Sequence, residues 1–182
     1  SNEDGVHPTS WNLPYTPSAT LTITNNTFEN WSSRVYVNGH KFNVITVTNN
    51  QFKNNSGGVR IRPHWDVSSG TTYWKKPADV EIKGNTFTKD RAGVYMQEGR
   101  FNVTGNNFIE SPGIRYLGLK STHPNYRNYQ KGFFDFKINN NYFIKQKGAN
   151  GSSDNVYAIE NMRALEDNLE LQNNTFCSKD RV

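Results

Sequence analysis

Six short segments of this chain share one pattern: apolar, any residue, apolar, any residue, Asn or Gly, Asn, any residue, Phe. The first copy is 21–28 (LTITNNTF). The later copies are 45–52 (ITVTNNQF), 80–87 (VEIKGNTF), 101–108 (FNVTGNNF), 136–143 (FKINNNYF) and 169–176 (LELQNNTF). Self-similarity at a loose period of about 20 to 35 residues is typical of a solenoid, in which each repeat forms one coil.

Apolar residues at every second position predict a β-strand in each copy and exclude a helix. The Asn-Asn or Gly-Asn pair predicts a tight turn, since both residue types tolerate left-handed backbone angles. Stacked coils place equivalent side chains about 4.8 Å apart, which predicts an Asn ladder and a Phe ladder. The predicted ladders consist of Asn26, Asn50, Asn85, Asn106, Asn141 and Asn174, and of Phe28, Phe52, Phe87, Phe108, Phe143 and Phe176.

A second strand motif follows most copies, at 35–37, 59–61, 94–96, 114–116 and 156–158, and the stretch 4–8 aligns with it. Alternate residues of a strand point to opposite faces, so the middle residue of this motif should face solvent while its neighbours are buried. The predicted outward column is His7, Tyr36, Arg60, Tyr95, Arg115 and Tyr157.

These repeats resemble the right-handed parallel β-helix of the pectate-lyase-like superfamily, over nearly the whole chain. The predicted fold class is all-β, a right-handed single-stranded parallel β-helix (solenoid) of six coils with Asn and Phe ladders. We expect a single β-helix domain over 1–182 that is a segment of a longer β-helix, because the sequence starts and stops inside a coil without a polar cap. The resemblance implies a polysaccharide lyase, glycoside hydrolase, epimerase or phage tailspike depolymerase, with the site on the sheet of the second motif and its loops.

The outward column and its flanking loops predict a binding surface for an acidic polymer. Arg recognises carboxylate or sulfate groups through paired hydrogen bonds, and Tyr offers stacking area. Tyr and Arg are also ordinary residues on exposed strands, so a purely structural column is an equal alternative. The predicted substrate-binding residues are His7, Tyr36, Arg60, Arg62, Trp65, Trp74, Lys75, Arg115, Tyr126, Arg127 and Tyr157.

Two kinds of cleavage fit such a surface. Hydrolysis needs two carboxylates roughly 5 to 9.5 Å apart. The acids predicted on the sheet side are Asp4, Asp66, Glu98 and Glu160. Glu98 and Glu160 are predicted to share one column, two coils and about 10 Å apart. A lyase needs a base beside a cation that stabilises the developing negative charge. The stretch 2–5 (NEDG) also resembles the Asn-Thr-Asp-Gly of polygalacturonases, although the Asp-Asp pair and Gly-His-Gly of that family are missing. The predicted catalytic residues are Asp4, Asp66, Tyr95, Glu98 and His64.

No cofactor is predicted. The four histidines are scattered and Cys177 is the single cysteine, which argues against a His/Cys metal site. Calcium would need clustered acids, and the sequence shows no such cluster. The net charge of +5 agrees with an acidic partner, whereas nucleic acid is disfavoured because basic residues are interspersed with acids.

The sequence therefore predicts a carbohydrate-active β-helix that binds an acidic extracellular polysaccharide and cleaves it, as a lyase or a glycoside hydrolase. The alternative is a non-catalytic glycan-binding or structural segment of a spike, fibre or adhesin, so enzyme activity stays an open question. The expected partners are a polysaccharide and a further copy of the chain, as a homo-oligomer or by end-to-end stacking, without a membrane. The expected location is extracellular, at the cell surface or on a virion.

Overall fold

The structure, a computed structural model, describes residues 20–31, 35–38, 42–62, 79–97, 100–117, 135–145, 157–161 and 168–177. Within these ranges the chain forms β-strands and no helix. The first three coils contain β1 (Thr20–Thr24), β2 (Thr27–Glu29), β3 (Val35–Asn38), β4 (Val44–Thr48), β5 (Gln51–Lys53), β6 (Val59–Arg62), β7 (Asp79–Lys83), β8 (Thr86–Thr88) and β9 (Val94–Gln97). The next three contain β10 (Arg100–Thr104), β11 (Asn107–Ile109), β12 (Ile114–Leu117), β13 (Asp135–Asn139), β14 (Tyr142–Ile144), β15 (Ile159–Asn161), β16 (Asn168–Gln172) and β17 (Thr175–Cys177).

The strands form three parallel sheets that run along the stack of coils. The first sheet has the order β1-β4-β7-β10-β13-β16, the second β2-β5-β8-β11-β14-β17, and the third β3-β6-β9-β12-β15. Each strand pairs in parallel with the equivalent strand of the next coil. The predicted parallel β-helix solenoid is therefore confirmed, and the copies of the second sequence motif at 35–37, 59–61, 94–96 and 114–116 lie in the third sheet.

The Phe ladder fills the interior behind the second sheet. Successive rings from Phe28 to Phe176 stack nearly parallel, with ring centroids 4.7 to 5.1 Å apart. Phe87 and Phe108 are fully buried. Each buried aromatic side chain removes a large apolar area from water. The ladder prediction is therefore confirmed, and the ladder helps to explain why a chain rich in polar residues has a continuous core.

The Asn ladder fixes the turn between the first two sheets. The backbone N–H and the Nδ2 of Asn50 both donate to Oδ1 of Asn85, at 2.9 and 3.0 Å, and Nδ2 also donates to the Ile23 carbonyl at 2.9 Å. The same sharing of one Oδ1 continues from Asn26 to Asn174. The residue before each ladder Asn is Asn or Gly with φ between 53° and 66°, as the predicted left-handed turn requires.

A second polar ladder, which the sequence analysis missed, follows the Phe strands. The backbone N–H of Trp31 donates to Asn55 Oδ1 at 3.0 Å, that of Asn55 to Asp90 Oδ1 at 2.7 Å, and that of Asp90 to Ser111 Oγ at 3.0 Å. The three acceptors, Asn, Asp and Ser, have in common only a short side chain with an acceptor oxygen. The second ladder therefore has no residue type that repeats along the sequence. This second ladder is buried at Asn55, Asp90 and Ser111.

Asp90 is the one carboxyl group in the second ladder. Burial raises its pKa from 3.8 to about 7, while hydrogen bonds from Asn55 act in the opposite direction. Its Oδ2 accepts no hydrogen bond from any described residue, whereas the equivalent atom of Asn55, Nδ2, donates to the Phe28 carbonyl at 2.9 Å. The position therefore suits a neutral side chain with a donor better than an ionised carboxylate.

Replacing Asn85 by Ala should lower the free energy of unfolding strongly. The change leaves the buried N–H and Nδ2 of Asn50 without their shared acceptor, which we expect to cost about 3 kcal/mol or more. Urea unfolding followed by circular dichroism measures this. Asn102→Ala, at an exposed position of β10, is the matched control and should change stability by no more than ~0.5 kcal/mol. If both variants lost the same free energy of unfolding, the ladder Asn would contribute no more to stability than an exposed residue.

Asp90→Asn should stabilise the protein at neutral and alkaline pH. Because the folded-state pKa of Asp90 is raised, its favourable contribution is complete below pH 3.8 and is lost as pH rises through about 7. The shift corresponds to roughly 4 kcal/mol at most. We expect urea unfolding to show that the wild type loses stability over this pH range and that Asp90→Asn loses much less. Asp79→Asn, at an exposed ion pair with Arg100, is the control and should not flatten the pH profile.

Candidate binding site

The outward face of the third sheet follows the predicted alternation. Val59 and Ile61 are buried on either side of Arg60, and Val94 and Met96 flank Tyr95 in the same way. Ile114 and Tyr116 are the buried neighbours of the residue between them, Arg115. The three middle residues are half-buried. Alternation along each strand thus places two guanidinium groups and one phenol on the same outer face.

Strand pairing puts these residues in a single row. Tyr36 is in register with Arg60, Arg60 with Tyr95, and Tyr95 with Arg115. Adjacent parallel strands lie about 4.8 Å apart, so the row advances by that distance at each coil. The predicted outward column is confirmed for Arg60, Tyr95 and Arg115, and for the backbone position of Tyr36.

The predicted last member of this column is wrong in register. The motif at 156–158 should have brought Tyr157 opposite Arg115, but the residue in register with Arg115 is Glu160, in β15. Glu160, predicted on the sheet side in one column with Glu98, lies in register with Arg115, and Glu98 lies outside the described residues. Tyr157 precedes the strand and reaches the site from the adjoining turn.

A column of small residues before the third-sheet strands explains the shift. The N–H groups of Val59, Val94 and Ile114 donate across coils to the carbonyls of Gly93, Gly113 and Ala158, at 3.0, 3.0 and 2.8 Å. A Cβ on Gly58, Gly93 or Gly113 would lie 1.9 Å from the carbonyl oxygen of the next coil's Gly93, Gly113 or Ala158. Ala158 therefore occupies the position that Gly58, Gly93 and Gly113 occupy in the preceding coils. A small residue followed by Val or Ile is the sequence pattern that predicts the correct register, in which Ile159 pairs with Ile114.

Two arginines stack on two tyrosines across this face. The Cζ of Arg60 lies 4.9 Å from the ring centroid of Tyr95, and that of Arg115 lies 4.9 Å from the ring centroid of Tyr157. Guanidinium groups at this distance are attracted by the electron-rich face of the ring. Each guanidinium group thus lies over an aromatic ring.

Glu160 and Tyr157 are the two residues in contact with the guanidinium group of Arg115. Nε of Arg115 donates to Oε2 of Glu160 at 2.7 Å. Burial raises the pKa of Tyr157, Arg115 opposes that shift, and Glu160 adds to it. Since the ordinary value is 10.0, the Tyr157 hydroxyl is protonated at neutral pH and can donate a hydrogen bond.

The Arg and Tyr side chains border a concave region of about 330 Å³. Its lining consists of Ser56, Gly57, Gly58, Val59, Arg60, Ala92, Gly93, Val94, Tyr95, Arg115 and Tyr157. Small residues leave the floor open because they carry little or no side chain, while the arginines and tyrosines supply the walls. A ligand there meets cationic edges, aromatic faces and backbone groups at once.

Most of the other predicted site residues lie outside the described residues. These are the catalytic candidates Asp4, His64, Asp66 and Glu98, and the binding candidates His7, Trp65, Trp74, Lys75, Tyr126 and Arg127. For Tyr36 and Arg62 the structure describes only the backbone. The predicted residues brought together are Arg60, Tyr95, Arg115 and Tyr157, and the site gains Glu160, which the binding prediction did not include.

The described residues offer little for a metal ion. No three of their His, Cys, Asp and Glu side chains come together as a metal-binding group. Cys177 is an exposed free thiol. Within the same ranges, no helix is long and apolar enough to cross a membrane.

Comparison with protein families gives one assignment. The sequence profile described as "Periplasmic copper-binding protein (NosD)" matches residues 4–165, most of the chain. The chain belongs to the NosD family. Searches of curated proteins and of solved structures gave no significant match.

The described part of this NosD-family chain does not fit copper. Copper sites use imidazole, thiolate or thioether ligands, and all four histidines lie outside the described residues. Met96 is fully buried in the core, and exposed Cys177 belongs to no cluster of possible ligands among the described residues. The described residues therefore supply no ligand set for copper.

Gly93→Ala should destabilise the coil that carries the site floor. The new Cβ would lie 1.9 Å from the backbone carbonyl oxygen of Gly113. Because neither backbone segment can move away without breaking strand pairing, we expect the free energy of unfolding to fall by about 3 kcal/mol or more. Thermal unfolding measures it. Gly105→Asn is the control, since its nearest atom is 3.9 Å away and Asn49 has the same backbone conformation; it should cost less than ~1 kcal/mol. A stable Gly93→Ala variant would contradict the proposed packing.

Proposed function

We propose that this NosD-family chain binds an acidic polysaccharide along the outward face of its third sheet, outside the cytoplasm. The observation that carries the proposal is the pair of Arg–Tyr stacks, Arg60 on Tyr95 and Arg115 on Tyr157, beside one concave region. The family's description as periplasmic supports the location. A cell-surface or virion location would be a more specific form of the same proposal.

The stacked geometry suits a sugar acid. Guanidinium groups stack on aromatic rings and recognise carboxylate or sulfate groups through the N–H groups at their edge. The tyrosine rings add apolar area against the face of a sugar ring. Because Arg60 and Arg115 are two coils apart, about 10 Å, they can contact separate units of one extended chain rather than a single small anion.

Glu160 sets the role of Arg115 in the proposed site. Its carboxylate already accepts from Nε of Arg115, so an acidic ligand must share that guanidinium with an internal carboxylate. An exposed or half-exposed ion pair of this kind is worth little in water, up to about 1 kcal/mol. We therefore propose that Glu160 orients Arg115 and moderates its affinity for anions, and that Tyr157 supplies a neutral hydrogen-bond donor.

Cleavage by β-elimination is a second candidate function, favoured by the position of Tyr95 between Arg60 and Arg115 in the register. Proton abstraction next to a uronate carboxylate needs a base near cations that stabilise the resulting charge. Hydrolysis would depend on Asp4, Asp66 or Glu98. If no cleavage occurs, the chain is a glycan-binding rod.

Arg60→Ala and Arg115→Ala should each weaken binding of polygalacturonate or alginate by about tenfold, the equivalent of one charge-assisted hydrogen bond. Isothermal titration calorimetry measures the affinity, and thermal unfolding should change little because both side chains lie on the outer face. Arg100→Ala removes the same charge from the first sheet and is the matched control. Glu160→Gln should strengthen binding.

Three outcomes discriminate the alternatives. If Arg100→Ala weakened polysaccharide binding equally, the interaction would be general charge attraction, and the proposed site would be wrong. Binding with a rise in the ultraviolet absorbance of an unsaturated uronate, lost in Tyr95→Phe, would establish a lyase. New reducing ends without that absorbance would assign hydrolysis to the acidic residues. Dextran, which is uncharged, should not bind in any case.

A further inference from the structure

Asp90 differs from the other buried members of the second ladder because an ionised carboxylate has no donor. Nδ2 of Asn55 donates to the Phe28 carbonyl at 2.9 Å, and Oγ of Ser111 donates to the Ile109 carbonyl at 3.1 Å. Oδ1 of Asp90 accepts the backbone N–H of Asn55 at 2.7 Å. Its Oδ2 is buried and has no hydrogen-bond partner among the described residues, so one polar atom of this side chain is left unsatisfied.

A proton on Oδ2 of Asp90 would give this side chain the donor that it lacks. Phe28 and Phe52 are in register on neighbouring strands, and Asn55 and Asp90 are ladder neighbours one coil apart. The Phe52 carbonyl is therefore the equivalent, for Asp90, of the Phe28 carbonyl to which Asn55 donates. An ionised carboxylate would instead be buried without a donor for Oδ2, which is costly. The raised pKa of Asp90, about 7 and caused by burial, agrees with a protonated group below that pH.

The charged side chains around Asp90 lie toward the surface. Lys89 and Arg91, its neighbours in the sequence, are exposed. On the adjacent turns, which follow β5 and β11, the charged residues are Lys53 and Glu110, and both are half-buried. The pKa of Asp90 is raised by burial and lowered by hydrogen bonds from the preceding coil, with no described charged group among its causes. Protonation of Asp90 therefore depends on how well its turn stays packed.

The turn that contains Asp90 leads directly into the floor of the candidate site. Residues 92–95 come just after it and line the concave region. One coil earlier, Asn55 donates to Asp90 and is followed by 56–60, which line the same region. The two turns are also joined by the N–H of Arg91, which donates to the Asn55 carbonyl at 2.8 Å. A change at Asp90 therefore reaches both coils that form this floor.

We propose that Asp90 is a positioning residue of this site: its protonated carboxyl donates from Oδ2 to the Phe52 carbonyl and keeps the floor packed, and loss of the proton loosens the floor and weakens binding of an acidic polysaccharide. This role rests on the proposed function and makes the affinity of the same site depend on pH. An ionised Asp90 must move toward water to be solvated, and the acceptor for the Asn55 N–H then moves with it.

Isothermal titration calorimetry with polygalacturonate at about pH 6 and about pH 8 tests this coupling, since the ligand carboxylates stay ionised over that range. If only the protonated form binds, the wild-type affinity should fall up to about tenfold, because the binding-competent fraction falls by that factor around a pKa of about 7. Asp90→Asn and Asp90→Ser carry neutral donors, as Asn55 and Ser111 do, and should lose little affinity over this range.

Asp79→Asn, at the exposed ion pair with Arg100, is the matched control and should keep the wild-type pH dependence. Circular dichroism verifies that each protein is folded at both pH values. Because the histidines are present in all four proteins, their titration contributes equally and cancels in the comparison. If the wild type and both Asp90 variants showed the same pH dependence of binding, Asp90 would not position the site.

Two NMR measurements test the proton without a ligand. The carbon-13 shift of the Asp90 carboxyl should be that of a protonated acid in mildly acidic buffer and should titrate at about pH 7. The N–H groups of Val59 and Val94, which donate across the floor at 3.0 Å, should lose exchange protection above that pH in the wild type but not in Asp90→Asn. An Asp90 that is already ionised in mildly acidic buffer, or protection that does not change, overturns the proposal. If both NMR changes occur but polygalacturonate binds at neither pH, the proposed function is wrong and the proton-dependent floor stands.

Discussion

The shared Oδ1 of the Asn ladder is the constraint on which the rest of this structure depends. One oxygen accepts both the backbone N–H and the Nδ2 of the previous Asn, so the two coils can differ in height and rotation only slightly. This fixes the step at which the Phe rings stack, about 5 Å. Apolar burial supplies most of the stability of such a core, but the ladder determines which residues of successive coils meet.

The binding face follows from the same constraint. The third sheet has the same coil-to-coil step, and its strand pairing places Arg60, Tyr95 and Arg115 in one row. The small residues beside the row let the backbones of neighbouring coils approach closely. The concave floor and the aligned cations are thus two results of one coil geometry.

The sequence predicted the positions at which the same residue type repeats in every coil. It did not predict those at which different residue types fill the same structural position. The Asn and Phe ladders use the same residues in six coils, so their positions could be predicted directly. The second polar ladder needs only a short acceptor, which Asn55, Asp90 and Ser111 all provide. In the fifth coil, Ala158 stands where the second, third and fourth coils have Gly58, Gly93 and Gly113. The pattern of Val or Ile followed by Tyr or Arg therefore predicted the wrong strand.

Ladder residues of successive coils are 24, 35, 21, 35 and 33 residues apart in the sequence. The ladder hydrogen bonds between neighbouring coils are the same at every step. The packing of the core therefore does not depend on the length of the segments that connect the coils. Loops of this kind can lengthen at little thermodynamic cost. Insertions between the coils of such a β-helix therefore need not change its fold.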